Sequence, residues 1–273
     1  MKNFINLKDI LAKDLRKILD DAKKRKNKRK KLSTLDADKD RPLKGKLLIQ
    51  MYEKQSSRTR LSFHIAINQL GAGTVTVKAN ELHLGKGGES IADTAKILST
   101  YGDGFMLRTG SDKKIEDFSK NLTIPIINLL SPSSHPCQVL SDIFTVEEIK
   151  KKSISKLNIT WIGDSNNVLN SLIATSVKFK FKLNIGCPKN YRPPKFVIDW
   201  VKKNKRKIYV YNDPKKAAKN ADVIFSDKVV SLNDNVNKKK KIRDFRNYRV
   251  NSSLLKYAKK DVIFLHCLPR GNE

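Results

Sequence analysis

The sequence predicts an α/β protein: two doubly wound parallel-sheet domains joined by a long interdomain helix. Two observations carry that prediction. Strand-like apolar runs alternate with helix-like segments along most of the 273 residues, the pattern of strand–crossover–strand units. The alternation also falls into two sets of about four, restarting after a long helical stretch that ends near Lys151. A chain of this length can bury two cores of ordinary size. The expected domains are residues 1–148 and 149–273.

Leu7, Ile10, Leu11, Leu15, Ile18 and Leu19 recur at helical spacing and predict an amphipathic first helix over 6–24. A charged loop follows. Residues 46–52 then read as a strand, 58–70 as a helix, 74–78 as a strand and 90–101 as a helix. A strand at 104–107, a short helix at 115–121, a strand at 125–130 and a long helix at 136–151 complete the first set. The second set has strands at 158–162, 182–186, 207–211, 223–225 and 262–265. Helices are expected at 168–179, 195–203 and 215–220.

Composition limits the function. Lys and Arg number 57 against 27 Asp and Glu, a formal net charge of +30. Lysine is spread through nearly every segment, with dense runs KKRKNKRKK (23–31) and KKKK (238–241). Aromatic residues do not interleave with these runs, as a stacking platform for nucleic acid requires. Solvated basic faces are the expectation, and a nucleic-acid partner is not. No apolar run approaches the roughly 20 residues of a membrane span. Acidic residues near the start argue against a targeting peptide. Cys137, Cys187 and Cys267 form no CxxC pair, which suggests a reducing compartment, taken as cytoplasmic. No cofactor or metal is expected: GxGxxG, GxxxxGK[ST] and HExxH are all missing.

The most informative stretch is YEKQSSRTRLSF (52–63), where a strand ends and a helix begins. A helix start there offers free N–H groups and a positive dipole end. Ser56, Ser57 and Thr59 add hydroxyls, and Arg58 and Arg60 add forked donors suited to phosphate oxygens. An ordinary serine cap with two surface arginines is the plainer alternative. Arg108 and His135 also follow strand ends, where open α/β sheets bind ligands. Gln138 lies one turn into the helix after His135. In the second half, Asp164, Asn166, Asn167, Asp227, Ser231, His266 and Cys267 follow strand ends and would suit an amine-bearing or zwitterionic ligand. Cys267 beside His266 hints at thiol chemistry, but neighbours along a strand face opposite ways.

These residues resemble the carbamoyltransferase family, and its ornithine branch in particular. SSRTR (56–60) is similar to the S-T-R-T-R carbamoyl phosphate motif, with Ser57 in place of Thr. HPCQ (135–138) resembles H-P-x-Q, and HCLPR (266–270) resembles H-C-L-P, whose Cys marks the ornithine branch. The resemblance implies that Ser56, Ser57, Arg58, Thr59, Arg108, His135 and Gln138 hold carbamoyl phosphate. It implies that His83 reaches a neighbouring subunit's site, and that Asn167, Asp227, Ser231, Leu232, Cys267 and Leu268 hold L-ornithine. Arg58, His135 and Cys267 would be catalytic. The implied assembly is a homotrimer with shared sites, and the implied reaction gives L-citrulline and phosphate. Putrescine, N-acetylornithine or aspartate as acceptor stays open, as does, further back, a basic nucleic-acid binder.

Two departures stand out. The family's D-x-W-x-S-M-G loop reads DKVVSLND here (227–234), with Val229 for Trp and Asn233 for Gly. The family also continues past H-C-L-P with a further phosphate-binding arginine and C-terminal helices. An incomplete reading frame is therefore expected rather than a functional short form, which would have an exposed apolar face, weaker phosphate binding and poor activity.

Overall fold

In a computed structural model, residues 3–78, 88–230, 237–268 and 270 are described. The chain forms two compact units, Met1–Cys137 and Gln138–Glu273. No helix among the described residues is long and apolar enough to cross a membrane.

The first unit is built on four parallel strands: β1 (Leu47–Tyr52), β2 (Gly73–Lys78), β3 (Gly104–Arg108) and β4 (Ile126–Leu130). Their order is β2-β1-β3-β4. Its helices are α1 (Ala12–Lys28), α2 (Arg58–Gln69), α3 (Ile91–Tyr101) and α4 (Asp112–Asn121). The inner strands bury both faces, so they read as nearly unbroken apolar runs. Met51, Phe105, Leu107, Ile115, Phe118 and Ile126 pack on one face, with the Phe105 and Phe118 rings 5.0 Å apart. Tyr52, Ile67, Met106 and Leu129 pack on the other.

The sequence places the first helix over 6–24. Instead a 3-10 turn (Leu7–Asp9) precedes α1, which runs on through two thirds of the basic run. Ion pairs explain the extension. Arg25 meets Asp21 at 2.8 Å, Asp38 at 2.8 Å and Asp40 at 3.1 Å, and Arg29 meets Asp38 at 2.6 Å. Acids one turn back and in the following loop thus offset part of the crowded positive charge.

Helix α5 (Pro136–Lys150) begins at the last residues of the first unit and lies mostly in the second. The second sheet holds β5 (Asn158–Ile162), β6 (Lys182–Gly186), β7 (Ile208–Tyr211), β8 (Val223–Ser226) and β9 (Ile263–His266). All pairs are parallel, in the order β7-β6-β5-β8-β9. Around it lie α6 (Asn167–Phe179), α7 (Lys195–Lys203), α8 (Pro214–Ala218), α9 (Lys238–Asp244) and α10 (Ser252–Leu255). The sequence reading has no counterpart for α9 or α10. The first hides inside KKKK and the second is a single turn.

Gly186 ends β6 where α8 crosses closely. A Cβ there would lie 2.7 Å from Ile162 Cδ1, 3.0 Å from Ala217 Cβ and 3.3 Å from Pro214 Cα. Ile162 can yield, whereas the start of α8 cannot without shifting. Gly186→Val is expected to destabilise the protein by about 1–3 kcal/mol. Urea unfolding measures this as a lower midpoint at unchanged slope, and an unchanged midpoint contradicts the packing argument.

Candidate active site

Both sheets reverse winding direction once, and sequence candidates collect at both reversals. In the first sheet the reversal lies between β1 and β3, whose last residues Tyr52 and Arg108 pair in register. The SSRTR turn leaves β1 and opens α2 at Arg58. Ser57 holds the cap position but in helical geometry, and its side chain makes no capping hydrogen bond. The helix start is therefore not closed by the serine, contrary to the plainer reading. Ser57 and Arg58 are exposed, while Ser56 and Thr59 are partly buried.

Arg108 reaches from β3 and donates from Nη1 to Thr59 Oγ1 at 3.2 Å. Its Nε is buried and has no hydrogen-bond partner among the described residues. Burial, with a lesser push from the Arg58 charge, lowers the Arg108 pKa. Burial also pulls the His135 imidazole down to about 4, with Arg108 repelling its protonated form. Two cationic groups buried near each other thus resolve into one guanidinium and one neutral imidazole. The Tyr52 phenol is pushed up to about 12, chiefly by burial. Glu53, not singled out from the sequence, fastens the loop after Arg108. It accepts from Thr109 Oγ1, from Gly110 N at 3.2 Å and from Lys114 Nζ. Burial works against its charge, but these partners bring its pKa below the ordinary value.

In the second sheet the reversal lies between β5 and β8. Gly163 turns the chain with φ +148°, a conformation glycine adopts readily. Asn166 caps α6, accepting from Val168 N and Leu169 N at 3.0 Å each. Its Nδ2 donates to Asp227 Oδ2 at 2.7 Å. One asparagine thus starts the helix and anchors the carboxylate beyond β8. Cys267, beyond β9, donates from Sγ to Asp227 Oδ1 at 2.6 Å. Burial first, then the Asp227 charge, pushes the thiol pKa far up. His266 turns elsewhere, its Nδ1 lying 2.5 Å from the Cys267 carbonyl oxygen. Asp164 forms an ion pair with Lys241 of α9 at 2.5 Å, both largely buried, so it ties the turn to the fold.

Asn167 is the first residue of α6, partly buried beside Asn166, and Leu268 is exposed. Gln138 Nε2 donates to Asp142 Oδ1 at 2.9 Å. Asp142, Trp161, Phe225, Phe264, His266 and Cys267 are among the residues lining a cavity of about 290 Å³. His83, Ser231 and Leu232 lie outside the described residues. Asp142 is another residue the sequence reading passed over. Its signal is an acid four positions after Gln138 in VLSDIFTV, a run with no other charged residue.

The neutral state of His135 is directly measurable. A histidine-resolved NMR titration is expected to give it a midpoint near pH 4, leaving it uncharged at pH 6. A midpoint above 6 contradicts the packing described.

Comparison with known proteins places these features in a family. The family model for the carbamoyl-P binding domain of aspartate/ornithine carbamoyltransferases matches residues 2–148, and that for the Asp/Orn binding domain matches 155–273. An ornithine carbamoyltransferase of Mesorhizobium japonicum is 39% identical over 275 residues, covering 100% of this chain and 88% of its own. One from Syntrophus aciditrophicus is 43% identical over 235 residues, covering 85% and 77%. The ornithine carbamoyltransferase structure from Pyrococcus furiosus superposes with a TM-score of 0.90 at 37% identity, over 98% of this chain and 85% of that one. The anabolic ornithine carbamoyltransferase from Campylobacter jejuni gives 0.89 at 32%, over 99% and 87%. With both halves matched in order and whole-length relatives near 40% identity, this chain belongs to the aspartate/ornithine carbamoyltransferase family.

Proposed function

We propose that this protein is an ornithine carbamoyltransferase: it moves the carbamoyl group of carbamoyl phosphate to the side-chain amine of L-ornithine, giving L-citrulline and phosphate. The observation that carries the reading is the contact of Arg108 with Thr59 of the SSRTR turn, beside a neutral His135. Relatives bearing the ornithine carbamoyltransferase name over nearly the whole chain support it.

Residues 1–148 form the carbamoyl phosphate-binding domain and 149–273 the ornithine-binding domain. Ser56, Ser57, Arg58, Thr59 and Arg108 bind the phosphate, and the arginines stabilise charge on it as it leaves. Neutral His135 donates an N–H to the carbonyl oxygen, where charge builds as the amine attacks. Gln138 accepts from the carbamoyl NH₂. Holding both reactants in line contributes effective molarities of about 10⁵ M or more.

Asn167, Asp227, Ser231, Leu232, Cys267 and Leu268 bind ornithine, and Asp227 attracts its cationic ends. The Cys267 thiol keeps its proton, so it acts as a hydrogen-bond partner of Asp227 and not as a covalent nucleophile. The side-chain amine reacts in its neutral form, having given its ammonium proton to solvent. Its nitrogen bonds to the carbonyl carbon, the C–O bond to phosphate breaks with its electron pair, and the second proton passes from nitrogen to the departing phosphate. His83 completes a neighbouring subunit's site in a homotrimer. The protein works in the cytoplasm in arginine biosynthesis, consistent with its unpaired cysteines.

The test is citrulline formation from carbamoyl phosphate against a panel of ornithine, putrescine, N-acetylornithine and aspartate. Ornithine is expected to lead; another acceptor leading overturns the choice. Arg58→Ala is expected to lower kcat/KM for carbamoyl phosphate by about 10²–10³ without changing the circular dichroism spectrum. Sedimentation equilibrium is expected to give about three times the 31.1 kDa chain mass.

A further inference from the structure

A glutamine amide is nearly symmetric in shape. Packing alone does not decide which end is NH₂ and which is C=O, and only hydrogen-bond partners do. Gln138 sits in the first turn of α5 with Asp142 one turn on, on the same face. The Gln138 Nε2–Asp142 Oδ1 bond of 2.9 Å gives the amide an asymmetric partner. An ionised carboxylate only accepts, so it fixes the NH₂ end toward itself and leaves Oε1 at the other end as the acceptor.

We propose that Asp142 is a positioning residue: it locks the Gln138 amide so that its carbonyl oxygen is presented to the carbamoyl NH₂, and thereby makes the site select carbamoyl phosphate over acyl phosphates lacking an N–H. The inference rests on the carbamoyl-binding role given to Gln138 above.

The surroundings of Asp142 fit such a role better than those of an exposed helix pair, which contributes little. Asp142 lines the same cavity as His266 and Cys267. Burial, with the Asp227 charge adding to it and the Gln138 bond opposing, raises its carboxyl pKa to about 6. A carboxylate held partly out of water beside another negative charge is costly. Above pH 7 it is nevertheless ionised, the form that orients the amide. Carbamoyl phosphate and acetyl phosphate share a phosphate and a carbonyl, and differ where one carries NH₂ and the other CH₃. An acceptor oxygen facing that position favours the first, and an NH₂ facing it does not.

The experiment uses the whole protein at pH 8. It measures KM for carbamoyl phosphate, and inhibition constants for acetyl phosphate and inorganic phosphate, in wild type, Asp142→Asn, Asp142→Ala, Gln138→Ala and the Gln138→Ala/Asp142→Ala double variant. Asp142→Ala is expected to raise KM for carbamoyl phosphate about tenfold, with both inhibition constants changing less than twofold. Asp142→Asn, which keeps shape but offers the amide either end, is expected to fall between. The double variant is expected to match Gln138→Ala, because Asp142 acts through that side chain. Parallel weakening of all three ligands, an unchanged KM, or an additive double variant overturns the proposal while leaving carbamoyl transfer intact. If wild type forms no citrulline, carbamoyl transfer falls and this inference with it. Asp142→Asn is nearly isosteric and carries the comparison should Asp142→Ala fail to fold.

Discussion

Between β1 and β3 the crossovers leave the first sheet in opposite directions, so no connecting helix lies over those strand ends. That topological constraint positions the cationic cluster. Tyr52 and Arg108 stand level because the two strands pair in register. The turn after Tyr52 therefore meets the side chain of Arg108, and the loop after β4 supplies His135. Glu53 adds stiffness by fastening the loop beyond Arg108 to the end of β1. A cluster so placed is electrostatically unsatisfied on its own. Burial first, and repulsion from a nearby guanidinium after it, lowers the pKa values of both Arg108 and His135.

The second sheet repeats the arrangement with the opposite sign. Asp227 stands beyond β8, next to the β5–β8 reversal, held by Asn166 on one oxygen and Cys267 on the other. Neither partner is cationic, so the carboxylate keeps its negative field. Asp164, which would otherwise add to it, is paired with Lys241. One acid is ion-paired within the fold, while its neighbour is held by uncharged donors.

Much of this was legible in the sequence because parallel sheets leave clear marks. The apolar runs gave every strand to within a residue or two, and SSRTR, HPCQ and HCLPR gave the residues at the strand ends. Other features were hidden for physical reasons. The first helix was placed too early: its start is a 3-10 turn, and its last turn is nearly all basic, with the acids that make it tolerable, Asp38 and Asp40, in a later loop. Helix α9 was invisible because KKKK reads as a solvated run. Yet Lys241 within it is 3% exposed, paired with an aspartate 77 positions earlier in the chain. Asp142 was missed because an acid on a helix normally faces water, and only the fold shows it turned toward Gln138. Nothing described bears on His83, Ser231 or Leu232.

The state of Cys267 follows from the same electrostatics. A thiol beside a histidine invites a nucleophilic role, and the sequence juxtaposition suggested one. The chain geometry separates them: the imidazole meets a backbone carbonyl, and the sulfur meets Asp227. A thiolate there would place two negative charges 2.6 Å apart in a partly buried site, and burial alone already disfavours it. The proton therefore stays on sulfur, and the sulfur donates. A donor on one carboxylate oxygen and Asn166 on the other fix the plane of Asp227 without neutralising it. The thiol and the asparagine together leave Asp227 a carboxylate held rigidly by uncharged donors.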